Sequence, residues 1–435
     1  MLGADTAALR RLRHRGDVDC VVVHGSRDKD SGRTQVDDAV VPVFAEDGYG
    51  LESVLSALAR SGRTPSDFDA IYTRDEHAVV LAATLGRLGD IATIAPGAAL
   101  RFRDKSLQKE RVRQAGLPTA DTYVLDDLTD LDPASVAHLL PAVLKPIAGI
   151  STKETALVTN VAGLTAAVEM VRQRGGLPRT FLLESVVTGP EWFCNGLVVG
   201  GEVRFMALGR YAHPCLSVLS AGLPAHSYQF SREYAADAYE LAAPTVRDAL
   251  AALGLRDGAF HMELFHQPEH QRFVFSECAA RRGGGLAQER IADQFGVDLA
   301  GAAVDIALGV PPDLSDVQAR YPVVGSTFLP IKGGYLVSCP DARDLAKQPH
   351  VRYARIERPL GVQLRDATTA VADKLGQVMV SGADEVTVLR RLADITAWFH
   401  DRIVTLPDDG DDRERWEHTR AAGFTLESGL IPALG

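Results

Sequence analysis

Residues His261–Gly285 read HMELFHQPEHQRFVFSECAARRGGG. Phe260, Met262 and Leu264 alternate with His261 and Glu263, the period of a strand, and Phe273, Phe275 and Glu277 repeat that period in the next segment. The polar piece Gln267, Pro268, Glu269, His270 between them is a reasonable hairpin turn. Such a hairpin brings Glu263 and Glu277 opposite one another or one diagonal step apart, within roughly 5 to 8 Å. Carboxylates that close repel unless a cation lies between them, and hard oxygen ligands suit Mg²⁺, which takes one or two carboxylates with water and substrate phosphates. Arg281, Arg282 and the glycines 283 to 285 follow at once and add a place for an anion. Taken alone, the same residues equally describe an exposed hairpin face with two solvated glutamates.

Upstream of the hairpin, the first hundred residues alternate short apolar strands (DCVVVHG, DAVVPVFA, DAIYT) with helical patterns (LESVLSALARSG, DEHAVVLAATLGRLG), which predicts a small parallel α/β domain. A charged amphipathic helix from Arg103 to Gly116 stops at Leu117-Pro118. Strands AVLKPI, TALVTN and FLLESVV with the helix VAGLTAAVEMVRQRGG predict a compact α+β subdomain, and WFCNGLVVGGEVRFMALGRYAH a long hairpin turning at Gly200-Gly201. His213 to Ser231 has no clear period and reads as a loop over a site. A helix over 233–253, the carboxylate hairpin, and helices from near Gly285 and Asp298 follow. Strands and a final helix over 320–404 indicate a smaller C-terminal domain. The tail from Pro407, with DDGDD, is expected to be mobile. The expected boundaries are 1–102, 103–315 with a lid at about 120–190, 316–405, and a tail over 406–435.

Composition narrows the function class. A chain of 435 residues with a formal charge of −11 and no dense lysine or arginine run is a poor match for a nucleic-acid backbone, so a small-molecule substrate is expected. Its 5 cysteines form no CxxC pair, which points to reduced thiols rather than a disulfide framework or a zinc site. No apolar run has the length of a membrane span, and MLGADTAALRRLRHRGD lacks the apolar core of a signal peptide. The expectation is a cytoplasmic protein with neither membrane nor nucleic-acid partner; a homodimer stays open.

Three upstream elements change the weight of the carboxylate pair. Lys105 opens the helix in RDKSLQKERVRQAGLPTAD, Lys145 ends the strand AVLKPIAG before a Gly/Ser/Thr loop, and LLESVVTGPEW carries Glu184 and Glu191 around Val186-Val187. Two lysines, an acidic hinge and two distal carboxylates in this order resemble the ATP-grasp superfamily over most of residues 20 to 310. Within it the chain is most similar to the carboxylate–amine ligases, particularly bacterial L-amino-acid ligases, through YTRDEHAVVLAATLGRLG and SECAARRGGG.

The resemblance implies three parts: an N-terminal parallel α/β domain, a two-lobed ATP-grasp region and a C-terminal α+β domain. It implies ATP as co-substrate, with Lys105 and Lys145 on its phosphates. Gly149, Ser151 and Thr152 would form a phosphate loop, although Glu154 stands where relatives often have a second glycine. Glu184 would meet the adenine edge, Val187 its apolar face and Glu191 the ribose. Glu263 and Glu277 would hold Mg²⁺, with Mn²⁺ a substitute. Ala279 takes the place where the family often has asparagine, so the metal would lean on the two glutamates and water. Arg281 would bind a substrate carboxylate or the transferring phosphoryl group, beside Gly284, with His226 a candidate substrate contact. For His226 and His213 packing is the simpler role, Arg282 reads as structural or solvated, and Cys278 is rejected as a nucleophile because no histidine activates it. The implied reaction joins a small carboxylate to an amine, amino acids or a dipeptide, through an acyl phosphate. The alternatives are a bicarbonate-using carboxylase, a carbamoyl-phosphate-type ligase, or a nucleotide-binding regulator without turnover.

Overall fold

The computed structural model describes residues 1–25, 40–126, 132, 134–150, 152, 154–173, 180–358, 360–364 and 374–406. The expected tail and, in the phosphate loop, Ser151 lie outside the described residues. The chain divides into two compact units, one of residues 1–149, 154–208 and 236–318, the other of 150–153, 209–235 and 319 onward.

In the first unit, Cys20–His24 and Val40–Phe44 pair in parallel, as the alternation predicts. Their buried Val23 and Val43 pack with Val54, Leu58, Leu81 and Leu85 of the helices Leu51–Arg60 and Val79–Gly89. DAIYT does not form a strand: Thr73 makes only an isolated bridge to Leu2, and Pro65–Asp67 and Glu76–Ala78 are short 3₁₀ turns beside it. Asp104 caps the helix Lys105–Gln114 by accepting from Ser106 N (2.8 Å) and Leu107 N (3.0 Å), which fixes Lys105 at its first turn. Thr122–Leu125, Phe181–Ser185, Ala142–Pro146 and Ala156–Val158 form, in that spatial order, an antiparallel sheet. The helix Val161–Gln173 covers it with Leu164 and Val168, against Leu144, Phe181 and Leu183.

A further sheet in this unit runs Arg272–Ala279, Gly258–Gln267, Glu191–Val199 and then the strand Glu202–Tyr211, which belongs to this unit as far as Leu208. Gly200 and Gly201 turn its long hairpin with φ of 64° and 86°, values that suit glycine. In the carboxylate hairpin Glu263 lies directly opposite Glu277, and the 3₁₀ turn Pro268–His270 joins the strands. The period of two does not hold through the second strand. The register shifts between Glu263 and Leu264, so Glu277 faces Glu263 while Phe275 faces Leu264, and the bulge puts Phe275 and Glu277 on opposite faces.

In the second unit, Ser227–Phe230, Val323–Leu329, Gly376–Gly382 and Val351–Ile356 are neighbours in an antiparallel sheet, packed by the helix Glu385–His400. Gln363–Leu364, Gly334–Ser338 and Val404–Leu406 make a small three-stranded sheet. The segment 213–231 is not a plain loop: Cys215–Ala221 is helical and Ser227–Phe230 is a strand. Among the described residues no helix is long and apolar enough to cross a membrane.

Candidate active site

Three lysines and two glutamates of the first unit form one ionic cluster, buried except at Glu277. Glu184, 8 % exposed, accepts from Lys145 Nζ at 2.7 Å and faces Lys109 Nζ at 3.1 Å. Glu277 Oε2 is 3.5 Å from Lys105 Nζ and 3.7 Å from Lys145 Nζ. Lys105 also donates to Gly149 O at 2.8 Å. Burial opposes the charge of Lys145, but Glu184 and then Glu277 outweigh it and raise its pKa. Lys109 goes the other way, because burial outweighs the attraction of Glu184 and lowers its pKa. Burial would raise Glu184 and Glu277; Lys109 and Lys145 on the first, and Lys105 and Lys145 on the second, instead hold both below the ordinary carboxylate range. Lysines from a helix and a strand are thus aimed at one carboxylate.

That carboxylate is half of the predicted metal pair. Glu277 is 34 % exposed at its side chain and stands across the ladder from Glu263. His261 shares the Glu263 face two residues back, with Nε2 3.5 Å from Glu263 Oε1. Its Nδ1 lies 3.0 Å from Asn195 Oδ1, which also accepts from Gly283 N at 3.1 Å. An amide oxygen only accepts, so Nδ1 carries the proton. Among the described residues no three His, Cys, Asp or Glu side chains are gathered about one point. Two hard carboxylates suit an ion that draws its remaining ligands from water and phosphate, so the residues present fit Mg²⁺.

Arg281 pairs with Glu76, and its Nη1 donates to Arg282 O at 2.9 Å. Glu76 also holds Arg103 at 2.7 Å, so a single carboxylate bridges two guanidiniums at the start of the glycine segment. Arg282 is buried and structural: it donates to Asp5 Oδ1 at 2.8 Å, and Tyr72 Oη donates to Asp5 Oδ2 at 2.8 Å. A Cβ at Gly283 would overlap Asn195 Oδ1, whereas Gly284 is exposed with open space around it. Glycine is required at 283 by close approach and at 284 by nothing visible.

The remaining expected residues fall as follows. Val187 is half-buried after the strand Phe181–Ser185, and Glu191 is buried at the start of the next strand rather than solvated. Glu154 has φ of 56°, the left-handed conformation that a glycine adopts freely, and Thr152, in the second unit, has the same φ. His226, also in the second unit, is buried, and burial, with His213 adding to it, lowers its pKa to about 4. Cys278 is buried and its thiol is pushed well above its ordinary value by burial first, then by Cys194 and Glu277, which agrees with rejecting it as a nucleophile. Sequence reasoning missed Glu76, Asn195, Gln108 and Lys109. A signal existed for the last two, since KSLQK puts positions 105, 108 and 109 on one helical face.

A capped helix and a strand each send a lysine to a carboxylate hairpin, and the chain shares its fold with solved ligases that have the ATP-grasp architecture the resemblance implied. No family model matches it. In sequence it is similar to the L-arginine-specific L-amino acid ligase of Bacillus subtilis, 23% identical over 298 residues, which are 67% of this chain and 70% of that protein. In structure it is similar to an L-amino acid ligase from Bacillus licheniformis, with a TM-score of 0.72 and 17% identity over 92% of this chain and 95% of that one. A carboxyaminoimidazole ribonucleotide synthase from Aspergillus clavatus, complexed with ATP, gives a TM-score of 0.67 and 16% identity over 92% and 97% of the two chains.

Proposed function

We propose that the protein is an ATP-dependent ligase that joins a small amino-acid-like carboxylate to an amine through an acyl phosphate, releasing ADP and phosphate. The observation that carries this reading is the convergence of Lys105 and Lys145 on Glu277, directly across the ladder from Glu263. A triphosphate is a polyanion, and ammonium groups from two separate elements can neutralise it without a covalent nucleophile. Glu263 and Glu277 would hold Mg²⁺, which supplies charge neutralisation at the phosphates. Arg281 keeps N–H groups beyond those it spends on Glu76 and Arg282, enough for two parallel bonds to a carboxylate. In the first step a carboxylate oxygen attacks the γ-phosphorus and ADP leaves. In the second the amine nitrogen attacks the acyl carbon, the C–O bond to phosphate breaks, and the nitrogen gives up a proton. Closure of a lid over about 120–190 would keep water from the acyl phosphate.

Amino acids are the substrate class that the names of two relatives, both L-amino acid ligases, support. The test is a panel of single amino acids and pairs with Mg-ATP, read by ADP and phosphate release and by product mass. Amide products with ADP are expected. Phosphate release on bicarbonate alone, with no response to any amino acid, would replace this reading by a carboxylase.

A further inference from the structure

The strand Arg272–Ala279 is the outermost of its sheet, so one row of its backbone groups has no partner strand. Side chains of the helix Lys105–Gln114 take that place beside Glu277. Gln108 Nε2 donates to Cys278 O at 2.7 Å, and Cys278 N donates to Gln108 Oε1 at 2.7 Å, so one amide pairs with the backbone as a neighbouring strand would. Lys109 Nζ donates to Ser276 O at 2.6 Å. Gln108 is 2 % exposed, and its Nε2 is braced by Arg101 O at 3.0 Å. The residues on both sides of Glu277 are thus held by consecutive residues of one helix, while Lys105 of the same helix faces the Glu277 carboxylate.

We propose that Gln108 is a positioning residue for the metal carboxylate Glu277: its paired amide fixes the strand so that Glu277 stands opposite Glu263 and within reach of Lys105. The role rests on the ligase reading, since it matters only if Glu277 meets a cation. A helix that carries a phosphate-facing lysine also sets the metal-side backbone, so the two charges are placed by one rigid body. Groups that orient a metal ligand typically change metal affinity or activity about 10- to 100-fold when removed.

The experiment measures Mn²⁺ affinity by electron paramagnetic resonance in the presence of a non-hydrolysable ATP analogue, for wild type, Gln108→Leu and Gln108→Asn. Gln108→Leu keeps the volume and loses both hydrogen bonds; Gln108→Asn keeps an amide too short to span them and serves if the leucine variant does not fold. Gln114→Leu, on the exposed end of the helix, is the control. The expected result is Mn²⁺ affinity lower by about 10-fold or more in the Gln108 variants, with metal-free binding of the analogue near wild type and turnover recovered by raising Mn²⁺. A purely structural role would not give that recovery. Wild-type Mn²⁺ affinity in a folded Gln108 variant overturns the role alone. A wild-type protein that binds no Mn²⁺ with the analogue overturns the ligase reading and this role with it.

Discussion

Lys109 is the member of the ionic cluster whose removal discriminates most sharply among accounts of the site. Its ammonium is 1 % exposed, 3.1 Å from Glu184 and 2.6 Å from Ser276 O. Lys109→Met leaves Ser276 O without a donor, a loss of about 1–3 kcal/mol. It also takes one of two cations from Glu184. Breaking a buried pair costs roughly 3–5 kcal/mol when the partner is stranded, but Lys145 stays at 2.7 Å, so only a fraction of that applies. Against these losses, the cost of burying the ammonium disappears, a cost that shows in the lowered Lys109 pKa. A buried methionine returns a further roughly 1.5–3 kcal/mol. These terms are of similar size and opposite sign, so the melting midpoint is expected to move by no more than a few degrees. Glu184 would then draw Lys145 away from Glu277, and KM for ATP should rise about 10-fold, equivalent to about 1.4 kcal/mol. Melting curves and ATP kinetics on Lys109→Met, Glu184→Gln and the double variant form the assay. Non-additivity of about 0.5–3 kcal/mol is expected for groups in contact. Additive effects with an unchanged KM would refute the cluster as a device that sets Lys145.

Glu263→Gln and Glu277→Gln should each lower turnover by about 100-fold or more while leaving the fold intact by circular dichroism; near-wild-type rates in both at limiting Mg²⁺ would make the hairpin structural only. Arg281→Ala should raise KM for the carboxylate substrate and spare ATP binding, and Arg281→Lys should not restore it, because an ammonium lacks the two-pronged geometry. Gly283→Ala should cost about 1–3 kcal/mol through the overlap with Asn195 Oδ1, whereas Gly284→Ala, in open space, should melt like wild type. Because Glu184 and Glu277 are held below their unfolded pKa of about 4.3, they contribute stability above that value and lose it as pH falls through their lower folded values. Melting midpoints between pH 6 and 3 should therefore drop on the acid side, with a shallower drop in Glu184→Gln.

The carboxylate hairpin was legible because a turn cluster separates two alternating runs, and the register bears out Glu263 opposite Glu277. The bulge was not. With Val274 and Ser276 buried as well as Phe273 and Phe275, both faces of that strand are covered, and alternation no longer reports which residue has slipped. Lys145 stood out through its apolar strand and Pro146, while Lys109 and Gln108 read as ordinary polar positions of a charged helix. Their role depends on which strand edge the helix covers, and that edge lies 167 to 170 residues away in sequence. The link between Glu76 and Arg281 spans 205 residues and has no local signature. Segment 213–231 shows no period in sequence because a four-residue strand such as Ser227–Phe230 is too short to display one.

In the proposed reaction a substrate carboxylate oxygen becomes bonded to the γ-phosphorus of ATP. The direct measurement uses an amino-acid substrate with ¹⁸O in its carboxylate and follows the label by mass spectrometry after turnover with Mg-ATP. The expected result is inorganic phosphate carrying one ¹⁸O, with ADP unlabelled. Label in AMP with release of pyrophosphate, or phosphate free of label while amide forms, would contradict it.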